Sequence, residues 1–215
     1  MEKAPLRRSR TRTNDPARTK QDIIDVATEE FSEHGLSGAR VDDIAERTRT
    51  SKRMIYYYFQ SKEGLYREVL VNYYKTLRNA ERELDLDGLP PLEALEKLVH
   101  FTIDFHTAHG DDVRLVITEN MQRGRFIKTL PSLEPLNSVV INAVRRICER
   151  GAAEGVMREG IDPIDLYMSI AALSFFNISN RYTFSIIFNC DMESAEALKK
   201  RKTVCTEMIL RYVAK

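Results

Sequence analysis

The chain has 215 residues, 43% of them hydrophobic, with 33 Lys and Arg against 32 Asp and Glu, a formal net charge of +1. That length suits one ordinary domain or two small ones with a real core, and so even a charge balance says nothing by itself about nucleic acid. No apolar run is long enough to span a membrane and the N-terminus is polar throughout, which excludes a signal peptide and points to the cytoplasm.

Charge is distributed less evenly than the total suggests: residues 1–62 hold 13 Lys and Arg against 10 Asp and Glu, and residues 63–215 hold 20 against 22. The excess sits at the extreme N-terminus, where residues 1–17 read as a disordered basic arm. Lys3, Arg7, Arg8, Arg10 and Arg12 alternate there with Ser and Thr, with two prolines and no apolar period. It is either a solubilising tail or an arm that reaches along phosphates or into a minor groove. Thr19 to His34 is amphipathic through Ile23, Ile24, Ala27 and Phe31, with Gly35 as its stop. Leu36 to Ala39 is a loop.

Val41 to Lys62 is the most informative stretch. Val41, Ile44 and Ala45 share a face of one short helix, whose first turn carries Asp42 and Asp43. A polar break at Thr48-Arg49-Thr50 follows, and Ser51 stands where the N-cap of a second helix belongs. In that second helix Ile55 and Phe59 face inward, four residues apart. Lys52 with Tyr56, and Arg53 with Tyr57, form two outward rows. Two short helices with a tight turn, the second showing cations and phenols outward, is the layout of a helix-turn-helix that reads DNA.

The ordered elements Ile44-Ala45, Ser51-Lys52, Tyr56 to Phe59, and Ser61-Lys62 with Leu65 closely resemble the recognition segment of TetR-family regulators. The resemblance implies an all-α protein with an N-terminal three-helix helix-turn-helix DNA-binding domain (residues 18–63) and a C-terminal helical effector-binding and dimerisation domain (residues 64–215). Lys52, Arg53 and Tyr57 are expected at the bases of a double-stranded operator, and Ser51, Thr50, Tyr56 and Lys62 at its phosphates. One departure is Arg49, where the family usually has glycine. Either the turn is shaped differently, or the turn gains a cation near the phosphates.

Beyond this segment the pattern is helical throughout. A helix from Ser61 to about Leu84 carries Leu65, Val69, Leu70, Tyr73 and Leu77 inward, and by the resemblance joins the two domains. Further helices are expected at Pro91 to His109 and at Asp111 to about Arg125. Others follow from Ser132 to Glu154 with an early interruption at Pro135, from Pro163 to about Phe188, and from Glu193 to Val213. The helix from Pro163 is apolar on more than one face, so it must be covered from two sides. The resemblance implies a homodimer made by the last two long helices, about 163–188 and 193–213. Cys148, Cys190 and Cys205, odd in number and in apolar contexts, read as packing residues, with a redox switch as the rarer alternative.

Two stretches are candidate walls of a site for a small organic effector of unknown identity. One holds Glu119, Asn120 and Arg123; the other holds Phe175, Phe176 and Asn180; Phe101 and Phe105, in an earlier stretch, are further candidates. Solvated face, plain core or subunit interface are the alternative readings of the same residues. His106 and His109 have the spacing to share a metal, but no cysteine or carboxylate completes a set, so structural histidines are expected, with no metal and no cofactor. No Ser/His/Asp or metal-ligand constellation supports an enzyme. A non-specific architectural DNA protein is the other rival to a ligand-released repressor.

Overall fold

The computed structural model describes residues 15–130 and 134–215, with the backbone alone described at 134–137. The basic arm therefore lies outside the described residues up to position 14. Ten α-helices and no β-strand form among those described, so the chain is all-α as its periodicity indicates. The N-terminal helices are α1 (Pro16–Gly38), α2 (Val41–Arg47), α3 (Lys52–Phe59) and α4 (Lys62–Arg82). Next come α5 (Pro91–Ala108), α6 (Gly110–Met121) and α7 (Glu134–Ala153). The last three are α8 (Pro163–Ser179), α9 (Arg181–Phe188) and α10 (Ala195–Val213).

Several boundaries differ from expectation for identifiable reasons. α1 starts three residues before Thr19, because Asp15 caps it through the amides of Ala17 and Arg18 and Pro16 takes the first turn. Asp15, Pro16 and Ala17 thus belong to the helix and not to the arm. Gly35 does interrupt α1, with φ 63°. α6 stops at Met121 rather than Arg125, since Arg123 and Gly124 both take positive φ (58° and 68°) before a 3-10 turn at Ile127–Thr129. α7 runs from Glu134 without the expected interruption; Pro135 stands in its first turn, where no amide is needed. The single helix expected from Pro163 to Phe188 is two, parted at Asn180 (φ −114°, ψ 3°), whose amide still bonds Phe176 O while its carbonyl accepts from Phe184 N.

Two main cores divide the buried apolar residues. The first holds Ile23, Ile24, Ala27 and Phe31 of α1, Val41, Ile44 and Ala45 of α2, and Ile55 and Phe59 of α3. It continues past residue 63 through Leu65, Tyr66, Val69 and Leu70 of α4, and takes in Leu115 of α6 and Phe126 beyond it. The second joins α5 (Leu95, Leu98, Val99), α7 (Val144, Ile147), α8 (Leu166, Ile170) and α10 (Cys205, Ile209, Val213). Cys148 and Cys205 are free thiols packed in this core, and burial raises both above the ordinary thiol range. α4 belongs to the first core with one half and reaches the second unit with the other.

Candidate nucleic-acid interface and an open cavity

The outward face of α3 is built by its inward one. Ser51 caps the helix, its Oγ accepting from Met54 N at 3.2 Å, and fully buried Ile55 with Phe59 anchors it to the first core. Lys52, Arg53, Tyr56 and Tyr57 are left exposed, Tyr57 at 76%. An aromatic ring so open on a well-ordered helix does not serve the core. Lys52 is tied back to Asp42 of α2 at 3.0 Å, which raises its pKa and fixes the stance of α3 against α2. At the turn before α3, Arg49 itself takes φ 53°, in the left-handed region that favours glycine. Thr48 N bonds Ile44 O, and Thr50 N reaches back to Ala45 O at 3.0 Å. Its exposed side chain points away from the core, while Thr50 is half-buried.

α4 begins against this unit. Ser61 caps it by accepting from Gly64 N at 2.9 Å, and Lys62, half-buried, donates to Ser37 O at 3.4 Å. Gly64 is required there, since any Cβ would collide with the Phe59 carbonyl oxygen. α3 and α4 are therefore in close backbone contact.

The structure scatters the expected effector residues. Glu119 is 1% exposed, yet its Oε1 accepts from Phe126 N (2.7 Å) and Ile127 N (3.0 Å), so it braces the turn after α6. Burial, with Glu119 adding to it, raises the Tyr66 hydroxyl beside it. Asn120 is exposed and bonds back to Val116 O, and Arg123 is exposed in the turn. These three do not join the phenylalanines. Phe105 packs on Tyr73 and Leu77, with Phe101 5.6 Å from it. Asn180 serves the α8–α9 junction and Arg181 pairs with Glu193 at 3.3 Å. Phe176 lines a groove with Phe184, Cys190 and Val204 toward α10.

Phe175, by contrast, lines an open cavity of about 320 Å³ between α4, α5, α6 and α8, which reaches solvent past exposed Met168 and Ala172. Its other walls are residues that periodicity alone assigns to core: Tyr73, Tyr74, Leu77, Arg78, His106, Val116, Tyr167, Met168, Ala171 and Ala172. The signal that marks them is Arg78 with Glu81, an opposite-charge pair at i, i+3 on the same face as Tyr73 and Leu77. Both are buried and paired, and Tyr167 OH closes the set, accepting from Arg78 Nη1 at 2.7 Å and donating to Glu81 Oε1 at 2.8 Å. His106, 4% exposed, holds Ser174 Oγ at 2.8 Å through Nδ1 and meets Tyr73 OH at 3.4 Å through Nε2. Burial, with His109 and Arg78 nearby, lowers its pKa to about 4, so the ring is neutral. His109 stacks on Phe105 at 4.0 Å and donates from Nδ1 to its carbonyl. Both histidines thus have structural partners.

Comparison with known proteins agrees with this plan. Residues 23–69 match the family model described as bacterial regulatory proteins, tetR family, and residues 91–209 match that of the tetracyclin repressor-like C-terminal domain. The chain is 34% identical over 205 residues to the HTH-type transcriptional repressor NicS of Pseudomonas putida, covering 95% of this chain and 97% of that one. It is 30% identical over 162 residues to the HTH-type transcriptional repressor SCO4008 of Streptomyces coelicolor, covering 74% and 78%. Among solved structures, the putative transcriptional regulator SCO4942 from Streptomyces coelicolor superposes with a TM-score of 0.68 at 25% identity, over 91% of this chain and 98% of that one. The Mycobacterium tuberculosis ketosteroid transcriptional regulator KstR2 shares the fold at a TM-score of 0.66 and 20% identity, over 95% and 97%. On its reading helix, its helical C-terminal unit and these matches, the chain belongs to the TetR family of bacterial transcriptional regulators.

Proposed function

We propose that the protein is a repressor that binds a palindromic operator as a homodimer and leaves it when a small molecule fills the cavity beside α4. The observation that carries this reading is the exposed Lys52-Arg53-Tyr56-Tyr57 face on a capped helix locked to α4. Lys52, Arg53 and Tyr57 reach base edges; Ser51, Thr50, Tyr56 and Lys62 hold phosphates. Two-fold symmetry sets the paired α3 helices about 34–36 Å apart, one turn of DNA.

Support for the dimer comes from α8, which leaves Ile164, Met168 and Phe176 exposed, and from α10, which leaves Val204, Met208 and Tyr212 exposed, on faces that the monomer does not cover. Repression by this protein parallels the repressors it resembles, NicS and SCO4008.

The test is fluorescence anisotropy against DNA from upstream of its own gene, with a random duplex alongside, at two salt concentrations. Selective binding with two subunits per site, or a multiple, is the expected result; equal binding to random DNA would instead favour an architectural protein. In the same assay Tyr57→Ala should relax sequence preference. Lys62→Ala should weaken all binding and lower the salt slope by about one. Equal losses on specific and random DNA for both variants would sink this division of labour.

A further inference from the structure

We infer that the cavity between α4, α5, α6 and α8 takes an uncharged, flat aromatic molecule of one or two rings, bearing one hydroxyl or N–H group that Tyr73 and Tyr74 bind. The inference rests on the reading that this cavity is the effector site, and it narrows what the effector is.

Charge comes first. The ionisable groups of the wall are Arg78, His106 and three tyrosines. Arg78 is answered by Glu81 and Tyr167, and His106 is a neutral hydrogen-bond donor to Ser174. Glu81 stands outside the wall and already neutralises Arg78, so an incoming carboxylate would have to compete with Glu81 for Arg78, and an incoming ammonium would meet Arg78 with no carboxylate on the wall to answer it. A neutral guest meets neither penalty.

Hydrogen-bond accounting then picks out the polar contacts that remain. Ser174 Oγ donates to Ala171 O at 2.9 Å, so toward His106 it accepts, and the imidazole hydrogen must be on Nδ1. Nε2 is therefore the acceptor, and the Tyr73 hydroxyl spends its hydrogen there. Tyr73, on the cavity wall, keeps the acceptor capacity of its oxygen. Tyr167 OH both donates and accepts within its set, so it has little left to offer. Tyr74, half-buried in the wall, has no hydrogen-bond partner among the described residues and keeps both capacities. A guest hydroxyl or N–H donates to Tyr73, and Tyr74 completes the contact.

Shape and size fit the same class. Phe175 stands edge-on to His106 at 5.7 Å, and Tyr73, Tyr74 and Tyr167 add aromatic rings to the same wall. An aliphatic cavity of about 150 Å³ takes up benzene; this one is about 320 Å³, room for two fused rings.

Titration calorimetry with 2-naphthol and 2-naphthoate tests the inference on the full-length protein. The expected result is measurable 2-naphthol binding, with 2-naphthoate weaker by about 30-fold as befits a buried unpaired charge. Tyr74→Phe should weaken 2-naphthol by about 5-fold, the loss of one neutral hydrogen bond. Naphthoate binding as tightly as naphthol, no binding of either at millimolar concentration, or indifference to Tyr74→Phe would each overturn the assignment of ligand class. Ala172→Trp, a bulky ring at an exposed position on the cavity wall, separates the two readings, with its circular-dichroism melting curve as the folding control. If it leaves 2-naphthol binding unchanged, the molecule sits elsewhere and the effector-cavity reading fails too. If it abolishes binding, the location stands.

Discussion

Arg49 occupies a backbone angle that suits glycine, at the turn on which the reading helix depends. A side chain there is strained, so Arg49→Gly should stabilise the protein by about 1 kcal/mol, raising Tm by a few degrees. The salt dependence of operator binding divides the two explanations of why arginine is present. A slope reduced by about one in the variant marks a phosphate contact, and an unchanged slope marks a cost borne for no DNA contact. Asp112, at the start of α6, gives a second expectation. Burial, reinforced by Asp111 and Asp25 and opposed by His109, raises its carboxyl from 3.8 to about 6. The folded chain therefore binds this proton more tightly than the unfolded chain. The resulting stability is complete below pH 3.8 and is lost as pH rises through about 6. Asp112→Asn should raise Tm at pH 8 and change it little at pH 4, as differential scanning calorimetry would show; an equal shift at both values would contradict the assignment. His106 has the opposite sign, with its contribution lost as pH falls from 6.5 toward about 4.

Elements were legible in the sequence where one local signal dominated. The Ser51 and Ser61 caps, the inward pair Ile55 and Phe59, and the α4 stripe all follow from spacing within a few residues. Boundaries failed where a distant or subtle term decided them. The end of α6 depends on Glu119 reaching forward to two amides, and the break at Asn180 falls inside a run with no proline or glycine to announce it. The cavity was hidden for a related reason: a stripe of tyrosines and leucines reads as core whether or not a void lies beside it. Glu119 lends itself to test because its two charge-assisted bonds close the α6 turn onto Tyr66 and Phe126. Glu119→Ala should destabilise the chain by about 2 kcal/mol, read by urea denaturation, while leaving 2-naphthol affinity unchanged. The exposed apolar face of α10 carries the other expectation at this scale. Met208→Arg should shift the sedimentation coefficient to that of a monomer and weaken operator binding; a dimer that persists would move the interface elsewhere.

At the scale of the whole molecule, α4 is the element common to both units. Its first turns carry Leu65, Tyr66, Val69 and Leu70 into the core of the reading unit, and its later turns carry Tyr73, Tyr74 and Arg78 along the cavity. Under the proposed function, a guest that changes the lie of the second half would be felt by α3 through the close contact of Gly64 with the Phe59 carbonyl. The coupling is reciprocal: if a guest weakens operator binding by some factor, saturating operator should weaken the guest by that same factor. Calorimetry with and without operator would measure it. The Arg78–Glu81–Tyr167 set has a further consequence, for how such a sensor changes its diet over evolutionary time. Glu81→Gln removes the carboxylate that neutralises Arg78, which should destabilise the empty protein, and an aromatic carboxylate in the cavity would restore a negative charge beside it. One codon then separates a receptor for neutral rings from one that accumulates in the cell only when its anionic signal is present.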